Sequence, residues 1–285
     1  MEILSTKRCY IGEGPIWNEF NGKLYQVNGM EDELCIIDMQ TKEVVTKKLE
    51  TSAAAVAFTD KGRVILSCMD GVFYYNEEDG VRTPLYDTDK HTILYGNDAK
   101  VGPDGCLYVG TQSSKRRGLS DEADAKLYRI DANGDVSVVL DGMLLSNGFD
   151  WSMDGKRLYH TDSDTRFVKE YAFDAAGGTA SFTGREIYVD GVDGITIDRE
   201  DTLYVACWGF GHIALVDTKT MTIKDYMKVP AKVPPSCCFA GPKMDRFVVV
   251  TATRGTDTNT DENAGFTLAF QIGKTGRKPF LFREK

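Results

Sequence analysis

Apolar residues recur along the chain in short runs, each directly behind a polar turn. Six segments share the pattern, in which a turn rich in Gly, Asp, Asn or Lys precedes an apolar pair and a β-rich run: NGKLYQV, DKGRVILSC, PDGCLYVGT, MDGKRLYHTD, REDTLYVAC and KMDRFVVVT. The apolar pairs begin at Leu24, Val64, Leu107, Leu158, Leu203 and Phe247. Their spacing, about 40 to 51 residues, is that of a four-stranded propeller blade. The pattern therefore predicts six copies of one β-rich unit.

The second half of each unit predicts two further strands around a polar turn. Asp79-Gly80 and Asn133-Gly134 are strong hairpin signals, and the sixth strand pair is assigned to GFTLAFQIGKTGRKPF, residues 265–280. No segment between the runs keeps a helical apolar period. We predict an all-β fold, a six-bladed β-propeller of four-stranded antiparallel blades that uses residues 1–285 as one domain. A large β-sandwich or two small barrels are the alternatives.

Residues at the same phase of a propeller repeat form a ring around the central channel. Counting back ten or eleven residues from each apolar pair gives Glu13, Ala53 or Ala54, Asn97, Asn147, Asp193, and Ser236 or Cys237. Four of the six positions carry side-chain oxygen atoms, and carboxylates that converge on one axis repel each other unless a cation lies between them. We predict one divalent metal there, since oxygen ligands suit Ca²⁺, Mg²⁺ or Mn²⁺ and carboxylates also bind Zn²⁺. The alternative is that each Asn or Asp beside Gly is a turn residue.

Several of these segments also carry a family resemblance. GEGPIW, NDAKVGPDGCLYVGT, SNGFDWSMDG, DGITIDREDTLYVACWGFG and SCCFAGP resemble signatures of the SMP-30/gluconolactonase/regucalcin family, in the family's order, over roughly residues 8–255. The resemblance implies a six-bladed propeller that hydrolyses sugar lactones with a divalent metal. It implies that Glu13, Asn147 and Asp193 are metal ligands and that Asp193 also transfers protons. Asn97 falls where the family contacts substrate or a metal-bound water.

One position departs from the family pattern. Members that act on sugar lactones commonly have Arg two residues before that Asn, whereas this chain has Tyr95, which leaves the substrate open. We place Tyr95 among the substrate-binding positions, together with Glu122, where some members have a substrate-binding Glu. Trp208 is the tryptophan most suited to touch a ligand. The polar segment 113–125 is a candidate lid, and its basic run, Lys115 to Arg117, is expected to be a solvated loop.

Composition excludes several other classes of protein. The chain has 34 basic and 43 acidic residues, a net charge of −9, which disfavours nucleic acid as a partner. No run of apolar residues is long enough to span a membrane, and the first residues lack the features of a secretory signal. Seven scattered cysteines indicate free thiols in a reducing compartment, so we expect a cytoplasmic protein.

These observations combine into one predicted function. The protein is expected to hydrolyse a sugar-derived or similar small lactone to its open hydroxy acid, with one Ca, Zn, Mn, Mg or Fe ion as cofactor. Two alternatives stay open: a non-catalytic calcium-binding or regulatory propeller, and a metal-dependent esterase or phosphotriesterase. We expect a monomer or weak homodimer whose partner is the small-molecule lactone, with no nucleic acid and no membrane.

Overall fold

The six sequence repeats fold into six four-stranded antiparallel sheets. The computed structural model describes all residues, 1–285. The first twelve strands are β1 (Glu2–Ser5), β2 (Gly12–Asn18), β3 (Lys23–Asn28), β4 (Glu33–Ile37), β5 (Val44–Lys48), β6 (Ala53–Phe58), β7 (Val64–Cys68), β8 (Gly71–Tyr75), β9 (Arg82–Pro84), β10 (Gly96–Val101), β11 (Leu107–Thr111) and β12 (Ala125–Ile130). The others are β13 (Val136–Met143), β14 (Ser146–Trp151), β15 (Arg157–Asp162), β16 (Phe167–Asp174), β17 (Thr179–Tyr188), β18 (Val192–Ile197), β19 (Thr202–Cys207), β20 (His212–Asp217), β21 (Thr222–Lys228), β22 (Ser236–Ala240), β23 (Arg246–Val250) and β24 (Thr267–Phe270).

Blades one to five each use four consecutive strands, starting at β2, β6, β10, β14 and β18. Each innermost strand contacts the innermost strands of its two neighbouring blades, and β2 also contacts β22, so the blades form a closed ring. The predicted six-bladed β-propeller is confirmed. The apolar core lies between the blades, since each apolar cluster draws its residues from neighbouring sheets.

Blade six is closed by a strand from the other end of the chain. Its strand order is β1-β24-β23-β22, and β1 pairs antiparallel with β24 through Glu2 opposite Ala269 and Ile3 opposite Leu268. The sequence-based assignment of a second strand within residues 265–280 was wrong, because only β24 forms there. The outermost position is taken by β1, whose Leu4 is fully buried. Local patterns cannot reveal this pairing, because its partners lie at opposite ends of the chain.

The last residues, 271–285, cross the end of the propeller at which the first two strands of each blade turn back. Backbone hydrogen bonds of 2.9 Å tie this tail to four blades: Gly276 N to Met244 O, Arg199 N to Thr275 O, Phe282 N to Phe58 O, and Arg283 N to Gly105 O. Phe282 is buried in the core between blades two and three. The tail therefore covers the lower end of the central channel.

All seven cysteines of the chain are free thiols with buried side chains. No helix of the structure has the length and apolarity needed to cross a membrane.

Candidate active site

The predicted ring residues occupy one equivalent position in all six blades. They are the second residues of the innermost strands: Glu13, Ala54, Asn97, Asn147, Asp193 and Cys237. In blades one to five the register between the two inner strands shifts at this position, whereas the pairing of β22 with β23 is regular. A β-bulge bends its strand and redirects the side chains beside it. The sequence phase therefore identified the upper rim of the channel.

Glycines beside the ring residues allow the inner strands of neighbouring blades to approach closely. A Cβ atom on Gly148 would lie 2.3 Å from Asp193 O and 2.6 Å from Ile195 N. A Cβ atom on Gly194 would lie 2.4 Å from Ser236 Oγ. These distances are shorter than any side chain tolerates, so packing between blades requires glycine at both positions.

Gly148→Ala is expected to destabilise the protein and to displace Asp193. The new methyl group would meet backbone atoms of β18, and such overpacking costs about 1–3 kcal/mol. Denaturant unfolding would measure the loss of unfolding free energy, and calorimetric titration the loss of metal affinity. Gly29→Ala is the matched control, because its Cβ would be 3.6 Å from the nearest atom. Equal stability of both variants would contradict the packing argument.

Asn147 and Asp193 are joined directly across blades four and five. Asn147 Nδ2 donates hydrogen bonds to Asp193 Oδ1 and, at 3.0 Å, to Ser163 Oγ. Both N–H groups of the amide are thereby used, and its Oδ1 atom is left to accept from a cation or a ligand. Asn147 is 7% and Asp193 6% exposed. The pair therefore presents one amide oxygen and one carboxylate oxygen, Asp193 Oδ2, to the channel.

Glu13, which is half-buried, and Asp193, which is buried, form an acidic group in which neither carboxylate has a salt-bridge partner. Burial raises the pKa of Glu13 well above its ordinary value, and the charges of Asp193 and Asp98 raise it further. Burial likewise raises the pKa of Asp193, with a contribution from Asp98. Two such carboxylates are stable only with bound protons or a bound cation.

Asp98 is a site residue that the sequence reasoning missed. Burial raises its pKa to about 6, and its charge acts on both ring carboxylates. It directly follows Asn97 in the NDAK segment, next to the bulge of β10. The sequence signal for Asp98 was a carboxylate directly after a ring position. It was missed because the repeat phase selects only one residue in each inner strand.

The ring residues can hold a hard divalent cation only if the amide oxygen of Asn147 is one of the ligands. No three His, Cys, Asp or Glu side chains of the chain form a group that could hold a metal ion. Glu13 and Asp193 supply two carboxylates, and Asn147 supplies a free amide oxygen. Oxygen ligands of this kind suit Ca²⁺, Mg²⁺ or Mn²⁺.

The basic residues below the ring are neutralised by another carboxylate. Lys100 Nζ lies 3.2 Å from Asp150 Oδ2 and also donates to Ile195 O at 2.6 Å. Arg277, from the C-terminal tail, donates to Asp150 Oδ1 at 2.5 Å. Although burial opposes them, these two cations hold the pKa of Asp150 below its ordinary value. They line a cavity between the ring and the tail and leave Glu13 unpaired.

The four predicted substrate-binding residues lie in different surroundings. Asn97 joins blades, since its Nδ2 donates to Ser146 O and its backbone O accepts from Ser67 Oγ, both at 3.1 Å. Tyr95 has a left-handed φ of 59° and carries the Arg117 guanidinium on its ring. Trp208 is half-buried in the turn between β19 and β20. Glu122 is exposed and is bonded only through its backbone: its O accepts from Lys115 N at 3.1 Å, and its N donates to Ser120 Oγ at 3.2 Å.

Comparison with known proteins identifies the family. Residues 11–253 match the family model described as "SMP-30/Gluconolactonase/LRE-like region". The chain belongs to this family. This member of the SMP-30/gluconolactonase/LRE-like family is 31% identical to the Bacillus subtilis (strain 168) protein named "Putative sugar lactone lactonase YvrE", over 96% of each chain. It is 32% identical to Regucalcin of Xenopus laevis, over 99% of this chain and 98% of the relative.

A solved structure shows the fold shared by the SMP-30/gluconolactonase/LRE-like family. The crystal structure of a regucalcin from Agrobacterium tumefaciens superimposes with a TM-score of 0.87 at 24% identity, over 99% of this chain and 96% of that one. The family resemblance drawn from the sequence motifs is confirmed. The roles of individual ring residues remain predictions.

Proposed function

We propose that this protein hydrolyses small sugar-derived lactones and that a divalent cation held by Glu13, Asn147 and Asp193 is required. One observation carries the proposal: the channel rim holds a buried and a half-buried carboxylate, neither in a salt bridge, beside an amide oxygen that accepts no hydrogen bond. The name of the B. subtilis relative, at 31% identity over nearly the full chain, supports lactone hydrolysis as the reaction.

Each proposed ligand is held by the inner strand of a different blade. Glu13 comes from β2, Asn147 from β14 and Asp193 from β18, so the group depends on closure of the ring. Ser163 holds the Asn147 amide from its nitrogen side and thereby orients the amide oxygen. A cation bound there would polarise the lactone carbonyl and stabilise the negative charge that develops on its oxygen, which contributes several kcal/mol.

Asp193 is the proposed proton carrier. Its Oδ1 atom accepts from Asn147, which leaves Oδ2 for the reaction. This oxygen accepts a proton from the attacking water while the water oxygen bonds to the acyl carbon. The same proton then passes to the ring oxygen as the acyl C–O bond breaks, and the open hydroxy acid results. Burial raises the pKa of Asp193 in the metal-free protein, and a bound cation would lower it again and keep the carboxylate ionised, as a proton acceptor must be.

The remaining predicted residues are proposed to position the substrate. Asn97, locked between blades at the rim, is suited to contact the lactone or a water beside it. Trp208 is proposed as an apolar wall and Tyr95 as a contact beside Asn97. For Glu122, a substrate contact requires the loop that carries it to move, because its side chain is exposed in this structure.

Three finer points belong to the same proposal. The cation is drawn from Ca²⁺, Mg²⁺, Mn²⁺, Zn²⁺ or Fe²⁺, among which these ligands discriminate little. The protein is proposed to be cytoplasmic, in agreement with its free, buried cysteines. It is proposed to act as a monomer or weak homodimer.

A panel of aldonolactones tests the proposal. Hydrolysis is followed with a pH indicator in untreated protein, after chelation, and after each of the five ions is added back. We expect turnover to disappear on chelation and to return with at least one ion. Unchanged turnover after chelation would contradict the metal requirement. Tight ion binding with no turnover on any lactone would favour the calcium-binding alternative, which the regucalcin relative keeps open. If phosphotriesters are assayed beside the lactones, a higher kcat/KM on the phosphotriesters would favour a metal-dependent esterase or phosphotriesterase.

A further inference from the structure

The loop at residues 112–124, between β11 and β12, lies at the same end of the channel as the ring. Thr111, where β11 ends, pairs with Gly96, next to Asn97. Asp124 closes the base of the loop by accepting from Ser114 N at 2.5 Å and from Ser114 Oγ at 2.6 Å. Ser113 N donates at 3.0 Å to the O atom of Leu144, in the link between blades three and four. The loop is thus anchored beside the rim.

The two arginines of this loop are held in different ways. Arg116 forms an ion pair with Asp164 in the turn that follows β15. Arg117 instead lies over Tyr95, with the guanidinium carbon 3.3 Å from the centre of the ring. The predicted solvated basic run is therefore wrong for Arg117, which is half-buried against an aromatic face. Lys115 and Arg116 fit the expectation, since both are exposed.

The guanidinium of Arg117 has more donors than the protein satisfies. A guanidinium carries five N–H groups, and Arg117 makes one side-chain hydrogen bond, from Nη2 to Ser114 Oγ at 3.3 Å. Its Nε atom is buried and has no hydrogen-bond partner, and no carboxylate pairs with it. Three of the four Nη N–H groups are also unbonded, and because the side chain is only half-buried they are the donors available to an oxygen-bearing ligand.

Resting on the proposed function, we propose that Arg117 is a substrate-binding residue that selects lactones carrying a carboxylate group. The planar fork of a guanidinium matches a carboxylate through two parallel hydrogen bonds, and stacking on Tyr95 holds the fork in one plane. The acidic ring repels a second negative charge. An anionic lactone is therefore oriented with its carboxylate at Arg117 and its carbonyl toward the ring.

The loop keeps Arg117 close to the reacting group. Tyr95 precedes Asn97 by two residues, and the backbone of Tyr95 is fixed on both sides: its N donates to Met69 O at 2.7 Å, and its O accepts from Gln112 N at 3.1 Å. The Tyr95 ring, on which Arg117 stacks, therefore belongs to the rim and not to the loop. Substrate specificity then depends on the contact between Arg117 of the loop and Tyr95 of the rim.

The test compares two lactones that differ at one carbon. Galactaro-1,4-lactone carries a carboxylate at C6, whereas galactono-1,4-lactone has a hydroxymethyl group there. Arg117→Ala is expected to raise KM for the acid lactone about 10- to 100-fold and to change the neutral one less than about twofold. Arg117→Lys, which keeps the charge but loses the fork, should fall between. Lys115→Ala is the matched control in the same loop, with both KM values unchanged.

Two results would overturn the inference. An equal loss on both lactones would mean that Arg117 only shapes the loop, and an unchanged KM for the acid lactone would mean that it does not touch the carboxylate. Thermal unfolding of each variant separates misfolding from loss of binding. If wild-type protein hydrolyses neither of these lactones nor any other of the panel, the proposed function fails. Calorimetric binding of the two unhydrolysed lactones, one anionic and one neutral, then still decides the role of Arg117.

Discussion

Replacing Asp193 with alanine is expected to lower lactone turnover by about a thousandfold and to remove most of the metal affinity. The side chain is proposed both as a cation ligand and as the proton carrier, and general acid–base residues alone contribute about 10²- to 10⁴-fold. The change also frees Asn147, whose amide nitrogen donates to Asp193 Oδ1. The loss should therefore appear in kcat as well as in the metal titration.

Two companion variants make this experiment specific. Asp193→Asn keeps the size of the side chain and removes its charge, so it should lose activity to nearly the same extent. Asp190→Asn is the matched control three residues upstream: Asp190 is exposed and contacts Arg166 and Tyr188, away from the ring. Turnover at the wild-type rate in Asp193→Ala would end the case for this site.

The second large effect concerns stability without metal. The pKa values of Glu13 and Asp193 are raised by burial above those of the unfolded chain. A group whose pKa is raised on folding contributes stability below its unfolded pKa, and that contribution is lost as pH rises through the folded value. Metal-free protein should therefore lose this contribution above about pH 4, the ordinary carboxyl range. A saturating cation at about a thousand times Kd should restore roughly 4 kcal/mol.

The pH dependence of stability must be measured against a reference variant, because the pKa of a buried histidine, His160, is shifted in the opposite direction. Burial lowers the pKa of His160 to about 3, so its contribution to stability is present above the ordinary histidine pKa and is lost as pH falls. The Glu13→Gln, Asp193→Asn double variant keeps His160 and removes the acidic pair. We expect metal-free wild type to lose stability relative to this variant between pH 5 and pH 8, measured by denaturant unfolding. Parallel pH profiles would contradict the electrostatic description of the ring.

Much of the fold was predictable because the propeller repeats one local pattern. Each repeat has a polar turn, an apolar pair and hairpins, and these are short-range features that alternation and turn residues encode. The ring positions Glu13, Asn147 and Asp193 followed from phase alone, since equivalent residues of equivalent strands must face one axis. The structure confirms their common place in the innermost strands.

The features that sequence reasoning missed all join distant parts of the chain. The pairing of β1 with β24 links residues more than 260 positions apart, as Glu2 opposite Ala269 shows. The tail residue Arg277 meets Asp150 below the ring, and Arg117 meets Tyr95 above it. No local pattern reports which charge finds which partner, so the sequence could not separate a solvated arginine from one held on an aromatic ring.

The sequence by itself determined the strands, the number of blades and the candidate ring, because each depends on periodicity within about 50 residues. Only the tertiary structure decided which carboxylates stay unpaired. Asp150 is neutralised by Lys100 and Arg277, whereas half-buried Glu13 and buried Asp193 form no salt bridge. The physical reason is that the free energy of a buried charge depends on the groups that folding places around it, and those groups come from every blade.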